Sequence, residues 1–335
     1  TGYHAKGTPI LMADGYSCLV ENLKVGNQVM GPDSKPRTIQ KLVTGHSPMY
    51  QIKTGCHKPY VVNELHMLSL QSVIPIELCE TSDGKFIMVK WLEKDIFNLP
   101  VIREYQVEVK DNNAKQTKKD LYEKWKLESV KNPNMIAKGD IVDIPLKEYL
   151  SRLDIMGNGK FKLYSKSVDF PSQKVTVEPY LMGHLVVGDT TTQIKVKNNY
   201  VRNYMDKFVE NHSMIPERVD SHSSVYHIKH DLNEESLYQR INDLELINNQ
   251  YIPVAYLLNS KEIRLETLAG IVDSRAIYQK KKNRYCLKNL ESKLLDDIEF
   301  LARSLGCRTV VRKTYQTFTL YFQTPKDLGL TVLDN

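Results

Sequence analysis

A repeated order of predicted elements constrains the fold more than any other feature of this sequence. A helix near 179–188 is followed by a polar strand, a helix at 199–210, a second polar strand stretch and a helix at 234–247. A similar order returns from 267 onward and ends in a hairpin at 308–323. Two copies of helix, hairpin, helix, hairpin, helix predict an α+β domain with internal pseudo-twofold symmetry, in which each copy supplies half of a shared core.

The N-terminal part has a different residue pattern. From 8 to 70, short apolar runs alternate with Gly, Pro, Asn and Asp, which predicts a small all-β module of short strands and tight turns. Residues 103–138 are rich in lysine and have little apolar periodicity, which indicates an inserted, partly helical arm that faces solvent. Apolar spacing then returns, with a predicted helix near 146–153 and a strand at 162–170. The predicted regions are therefore 1–102 with 139–175, 103–138, and 176–335.

Length and charge set only wide limits on function. The chain has 335 residues, enough for two or three domains. Its net charge of +6 and pI near 8.8 fit a nucleic-acid partner without demonstrating one. No apolar run approaches the ~20 residues of a membrane span, so we expect no membrane role. The five cysteines lack metal-ligand spacing, which indicates neither a zinc site nor disulfides and fits an intracellular, reducing compartment.

Three N-terminal motifs follow one another in a characteristic order: HAKGTPILMADG, VGNQVMGPDSKPR and VVNELHMLSL. Together they resemble the start of the Hint protein-splicing domain of inteins, which implies an all-β, horseshoe-like fold. The family begins splicing with a Cys or Ser, and the position before HAKGT in this chain is Tyr3. A phenol on a rigid ring cannot make the required N-to-O shift. The resemblance gives His66 the role of the activating histidine, with Asn63 three residues earlier.

The chain ending also departs from the splicing pattern. An intein ends in Asn, usually after His, because cyclisation of that Asn releases the chain. This sequence ends TVLDN, with Asp334 before Asn335, and the C-terminal Hint strands are not recognisable upstream. The chain also begins without Met, which suggests a segment of something longer. We therefore expect self-splicing by this chain alone to be impaired or lost.

Two later segments, VEPYLMGHLVVGDTTT and IRLETLAGIVDSRAIY, resemble the two LAGLIDADG regions of intein-encoded homing endonucleases of fungi and large viruses. The resemblance extends from His4 to about Phe322. It implies an αββαββα unit repeated twice in one monomer. Two helices would pack through small residues, and each would deliver one acid to a shared Mg²⁺ site that cleaves double-stranded DNA.

The acid positions do not follow the family pattern in full. Asp189 is the retained acid and metal ligand of the first copy, although one extra residue lies between Gly183 and Gly188. In LAGIVDSRA the eighth position is Arg275, a cation where the family has its second acid. Asp273 lies two residues earlier, roughly 200° round the helix, and cannot replace it. We therefore expect double-strand cleavage to be lost and Mg²⁺ binding to be in question.

One histidine in the first motif has two interpretations. His184 falls near the predicted helix interface. A single His without spaced partners is more often a packing residue than a metal ligand. We therefore expect His184 to be a packing or surface residue.

Basic residues cluster on the predicted hairpins of both copies, with Tyr278, Tyr285, Tyr315 and Tyr321 between them. In the family such hairpins form a saddle on the DNA, so we expect a phosphate-tracking surface that survives loss of cleavage. The candidate DNA-binding residues are Lys195, Lys197, Lys280, Lys281, Lys282, Arg284, Arg308, Arg312 and Lys313. The Lys-rich arm, 115–131, is either a further DNA contact or a solvated face.

Three hypotheses follow. The first is a degenerate intein-derived homing endonuclease that keeps its fold and its DNA affinity. The second is a lineage recruited as a sequence-specific DNA-binding or mating-switch-type factor. The third is a metal-dependent endonuclease or nickase that is still active. Each predicts an intracellular protein, nuclear if the host is eukaryotic.

Overall fold

The computed structural model describes residues 2–55, 58–212 and 214–332, without the side chain of His212. The expectations for Asp334 and Asn335 therefore fall outside the described residues. Within those ranges no helix is long and apolar enough to cross a membrane.

Many short strands and a smaller number of helices alternate along the chain. In chain order, strands β1 to β19 are Pro9–Leu11, Ser17–Leu19, Gln28–Met30, Pro36–Thr38, Met49–Ile52, Tyr60–Asn63, Met67–Ser72, Ile76–Glu80, Phe86–Lys94, Pro100–Glu108, Ile141–Pro145, Phe161–Leu163, Gln193–Val196, Met214–Arg218, Ser224–Ile228, Ile277–Gln279, Arg284–Leu290, Arg308–Thr314 and Thr317–Gln323. Helices α1 to α9 are Ala114–Lys131, Leu146–Ser151, Leu153–Met156, Pro179–Val187, Asn199–His212, Leu237–Asp243, Val254–Leu257, Lys261–Arg275 and Ser292–Ser304.

The strands pair antiparallel wherever a pairing is described, which confirms a mixed α and β fold. The chain divides into two compact units. Unit 1 comprises 1–8, 43–52 and 60–164, and unit 2 comprises 9–42, 53–59 and 165–335. The predicted regions stay a prediction, and these contact boundaries fall at other residues.

Unit 1 is built from small antiparallel sheets. Their orders are β5-β6, β10-β9-β8 and β11-β7-β12. Strand β7 alternates exposed and buried side chains and places Leu68 and Leu70 in the core, as expected of a half-buried strand. The strand predicted at 162–170 is shorter than expected, because only 161–163 pairs with β7.

The Lys-rich region is less detached than the sequence suggests. Its helix α1 buries Thr117, Leu121 and Trp125, which recur every four residues and so lie on one face. That face packs against β8 and β9 of unit 1, with Leu121 and Trp125 next to Ile87 and Val89. Helix α1 is the helical part that the sequence predicts, and its packed face departs from the prediction of a solvent-facing arm.

Unit 2 has one continuous hydrophobic core around α4 and α8. The second half of the repeat runs α8, β16, β17, α9, β18, β19, and its sheet has the order β16-β17-β19-β18. The first half runs α4, β13, α5, β14, β15, α6, with the sheet order β13-β15-β14. Within the described residues, the first hairpin of that half therefore has one strand where the predicted repeat has two.

Residues 9–42 belong to unit 2 through close contacts with its C-terminal part. A Cβ added at Gly15, where φ is +91°, would lie 2.6 Å from Leu258 Cδ2. The Asp169 amide also donates a hydrogen bond to Ser34 Oγ at 2.8 Å. The β-rich N-terminal sequence is thus shared between the two units.

Candidate functional sites

The two LAGLIDADG-like helices pack closely through glycine. A Cβ added at Gly270 of α8 would lie 2.0 Å from Tyr180 O, and one added at Gly183 of α4 would lie 2.3 Å from Thr267 O. Any larger residue at either position would collide with the backbone of the facing helix. The predicted packing through small residues is therefore observed within unit 2, and it brings the C-terminal ends of both helices to one cavity.

Asp189 lies just beyond α4, because the helix ends at Val187 and Gly188 is extended (φ −67°, ψ 161°). This break accommodates the extra residue between Gly183 and Asp189. The Asp189 carboxylate is 73% exposed and forms an ion pair with Lys195 Nζ at 2.7 Å. The hydrogen bond from Lys195, together with the charges of Lys195, Arg275 and Lys197, lowers the pKa of Asp189. The carboxylate is charged, and its charge is offset by a lysine.

Arg275 is the last residue of α8, at the same cavity. Its Nη1 donates to Val187 O at 3.2 Å and its Nη2 donates to Asn289 O at 3.2 Å. Gln250 Nε2 likewise donates to Gly188 O. The bonds to Val187 O and Gly188 O satisfy carbonyls at the end of α4, where a helix leaves acceptors without intrahelical donors. Arg275 therefore supplies positive charge where the family pattern has an acid.

Two further titratable groups line the cavity. Asp273 accepts a hydrogen bond from Tyr180 Oη at 2.8 Å. His184 is 1% exposed, packs edge-on against the Tyr180 ring at 4.9 Å, and has no hydrogen-bond partner for either ring nitrogen. Burial lowers the pKa of His184 to about 3, so the ring is neutral at physiological pH. Of the two expected roles, packing or surface, the burial of His184 corresponds to packing.

The donor set at the cavity does not fit a divalent cation. Magnesium favours several oxygen ligands, usually including carboxylates. Asp189 is neutralised by Lys195, Asp273 is bonded to Tyr180, and Arg275 adds a repelling charge. In the part of the chain that the structure describes, no cluster of three or more His, Cys, Asp or Glu could hold a metal ion.

The second-half sheet gathers arginines around one tyrosine. Register pairs Arg308 with Gln323, Arg312 with Thr319, and Arg284 with Gln279, which places the three arginines on the sheet face of Tyr321. The Arg284 guanidinium lies 3.9 Å from the centre of the Tyr321 ring, and that of Arg312 lies 5.6 Å from it. Cation–π contact fixes both side chains on this face.

The other predicted DNA-binding residues lie elsewhere in unit 2. Lys195 is on the exposed face of β13, and Lys197 follows that strand. Lys280, Lys281 and Lys282 form the exposed turn between β16 and β17. Lys313 alternates to the opposite sheet face from Arg312 and lies over the Phe318 ring at 5.9 Å. The arginine face therefore does not include Lys313.

The residues predicted for splicing meet in unit 1. The Tyr3 amide donates to Asn63 Oδ1 at 2.8 Å, and the Asn63 amide donates to Tyr3 O at 3.1 Å. A Cβ added at Gly2 would lie 2.4 Å from His66 Cα. Asn63 Oδ1 thus holds the amide of the peptide bond before Tyr3, and the backbone of His66 lies beside Gly2.

His4 is a residue of this site that the sequence pattern did not reveal. Its ring lies 4.6 Å from the His66 ring, edge to face. Burial and the charge of His4 lower the pKa of His66 to about 4. Burial also lowers the pKa of His4. Both rings are therefore held in the neutral form, in which an imidazole can both donate and accept a hydrogen bond.

A comparison with known protein families matches the region that contains this N-terminal site. Residues 3–127 match the family model described as Hom_end-associated Hint. The match confirms the resemblance of the first motifs to an intein-type Hint domain that accompanies a homing endonuclease.

One curated relative and two solved homing-endonuclease structures are also similar to parts of this chain. The catalytic subunit of the V-type proton ATPase of Candida tropicalis is 40% identical over 52 residues, which span 16% of this chain and 5% of that protein. Mesophilic variants of the homing endonuclease I-DmoI align with 13% identity and a TM-score of 0.33, over 44% of this chain and 88% of theirs. The structure of I-DmoI in complex with DNA and Mn aligns with 14% identity and a TM-score of 0.33, over 44% and 89%.

Proposed function

We propose that the chain is a degenerate intein-derived homing endonuclease that binds double-stranded DNA and has lost both double-strand cleavage and self-splicing. The observation that carries this proposal is Arg275, which stands in place of the second acid and is held there by hydrogen bonds to two backbone carbonyls. In LAGLIDADG enzymes two acids hold the divalent cations that activate water and stabilise the leaving oxygen. A cation entering this cavity has to displace a lysine and approach an arginine.

The loss of splicing rests on Tyr3. The neighbouring Asn63 still holds the backbone of Tyr3, and His66 still lies beside the preceding residue. In this proposal Asn63 and His66 are retained activating groups, and the chemistry fails at the nucleophile. A phenol cannot form the labile ester or thioester on which the later steps depend.

The finer architecture belongs to the same proposal. Residues 1–102 with 139–175 form the horseshoe-like Hint region, 103–138 an inserted recognition arm, and 176–335 a LAGLIDADG domain of two αββαββα halves. The protein acts as a monomer with internal pseudo-twofold symmetry, inside the cell and in the nucleus of a eukaryotic host. The arginine face around Tyr321 supports DNA binding, because guanidinium groups ordered on a sheet can pair with phosphates.

A nickase is the second candidate, and the retention of Asp189 is what favours it. One exposed carboxylate could support attack on a single strand. The alternative of a recruited DNA-binding factor uses the same surfaces as the leading proposal and differs only in the biological role.

The test begins with selection of duplexes that the full chain captures from a random pool. The selected DNA, labelled on both strands, is then run on native gels in EDTA and on denaturing gels after incubation with Mg²⁺. We expect a shifted complex with both strands intact. Breaks in both strands contradict the loss of cleavage, breaks in one strand support the nickase, and no shifted complex contradicts DNA binding.

A further inference from the structure

The cavity at the C-terminal ends of α4 and α8 carries more basic than acidic groups. It has a volume of about 390 Å³ and is lined by Lys195, Lys197 and Arg275 together with Asp189 and Asp273. His184 also lines it but adds no charge at neutral pH, because burial lowers its pKa to about 3. Three cations face two carboxylates, and each of these carboxylates accepts a hydrogen bond from a neighbouring side chain.

From this geometry we propose that the cavity binds a phosphodiester of the DNA backbone through Lys195, Lys197 and Arg275, without a divalent ion. The inference rests on the proposed DNA-binding function and assigns a metal-free contact through basic side chains to the place where the family pattern puts a metal.

Arg275 is suited to this contact because its position is fixed before a ligand arrives. Two of its nitrogens donate to Val187 O and Asn289 O. A guanidinium has five N–H donors, so donors remain for an oxyanion. Pre-ordering also reduces the rotamer entropy that binding removes from a long side chain.

The main physical objection is that helix C-termini repel anions. The dipole of α4 ends at this cavity in a partial negative charge. In this structure the terminal carbonyls of Val187 and Gly188 already accept hydrogen bonds from Arg275 and Gln250. Those hydrogen bonds offset the partial negative charge of the helix end, and Arg275 adds positive charge to the cavity.

Lys195 and Lys197 supply the solvent-exposed part of the site. Both side chains are exposed, and Lys195 pairs with a carboxylate that is itself mostly exposed. An exposed ion pair of this kind contributes little to stability. A phosphate can therefore compete with Asp189 for Lys195 at small cost, while Lys197 adds attraction from beside the strand.

Salt dependence of DNA affinity tests the proposal on the full-length chain. Fluorescence anisotropy with a labelled random-sequence duplex is measured over a range of KCl concentrations, in EDTA and in millimolar Mg²⁺. Wild type should bind as well in EDTA as in Mg²⁺. Arg275→Gln should weaken binding about 10-fold at low salt and reduce the magnitude of the log–log salt slope by about 0.9, the value for one lost phosphate contact.

Three further variants guard against a folding artefact. Lys197→Gln removes an exposed cation of the cavity and should reduce the slope by the same amount. Arg275→Lys keeps the charge and should restore the slope more than it restores affinity. Arg303→Gln, an exposed position on α9, changes the net charge equally and should leave the slope of wild type unchanged.

The outcomes separate this inference from the function on which it rests. No binding of duplex by wild type at low salt would overturn both. Normal binding with unchanged slopes for Arg275→Gln and Lys197→Gln would overturn the phosphate site alone, and so would binding that requires Mg²⁺. If inorganic phosphate at constant ionic strength raises the Tm of wild type while both variants bind DNA normally, the ligand is free phosphate and the proposal is wrong.

Discussion

Replacement of His184 by leucine is expected to stabilise unit 2. Both ring nitrogens are buried without a hydrogen-bond partner, and the residue is 1% exposed. A buried polar group without a partner costs about 1–3 kcal/mol. Leucine removes that cost and fills a similar volume, but gives up the edge contact with Tyr180, worth about 0.5–1.5 kcal/mol. The expected net gain for His184→Leu at pH 7.5 is about 1 kcal/mol.

The same substitution should remove part of the acid sensitivity. Burial lowers the pKa of His184 from 6.5 to about 3 in the folded chain. Below pH 6.5 the unfolded chain therefore binds a proton that the folded chain excludes, so stability is present above that pH and is lost as the pH falls toward 3. At a limiting slope of 1.36 kcal/mol per pH unit, reached only below pH 6.5, wild type should lose about 2 kcal/mol from this group between pH 6.5 and pH 4.5.

Hydrogen exchange is the suitable assay because it reads each unit separately. The two tryptophans, Trp91 and Trp125, both lie in unit 1, so tryptophan fluorescence does not report on the unfolding of unit 2. Exchange protection of α8 amides, measured at pH 7.5 and pH 4.5 and corrected for intrinsic rates, gives the free energy of opening around His184. Lower protection in His184→Leu at pH 7.5, or equal acid losses in wild type and variant, would refute this reasoning.

Three other predictions concern the helix interface, the splicing site and the sheet face. Gly270→Ala should lower the free energy of unfolding by about 3 kcal/mol, because its Cβ would lie 2.0 Å from a backbone oxygen. Gly55→Ala is the control: open space surrounds Gly55, so this variant should have little effect in thermal unfolding. With a reporter peptide fused upstream, Tyr3→Cys should permit thiol-induced cleavage that wild type lacks, scored by mass spectrometry; an uncleaved variant would mean that Asn63 and its neighbours no longer activate the bond. Arg312→Gln should lower the salt slope of DNA binding by about 0.9, and Lys313→Gln, on the opposite sheet face, should lower it less; equal slopes would contradict a face-specific contact.

The sequence predicted the features that depend on local pattern. The small residues of VEPYLMGHLVV and LETLAGIVDS indicated two helices in close contact, and α4 and α8 meet at Gly183 and Gly270. The same pattern identified Arg275 as a departure from the acid position. Local pattern sufficed for these features because helix period and side-chain size together determine which face can pack.

Features that depend on the tertiary course of the chain were missed. Lys195 pairs with Asp189 because Gly188 leaves the helix and β13 turns back, which no spacing rule predicts. His4 lies against His66 because the N-terminal segment pairs with β6 through the bridge of His4 with Val62. The packed face of α1 did leave a signal, the four-residue spacing of Thr117, Leu121 and Trp125, which the surrounding lysines obscured.

Manganese binding to the protein–DNA complex tests the loss of the metal site most directly. Free Mn²⁺ is followed by electron paramagnetic resonance as it is titrated into wild type bound to a selected duplex, into the same duplex alone, and into the Asp189→Asn complex. We predict that the wild-type complex binds no more Mn²⁺ than the duplex alone, because the positive charges of Lys195 and Arg275 lie where the family has its metal ions. One or two tightly bound Mn²⁺ per complex, absent from Asp189→Asn, would contradict it.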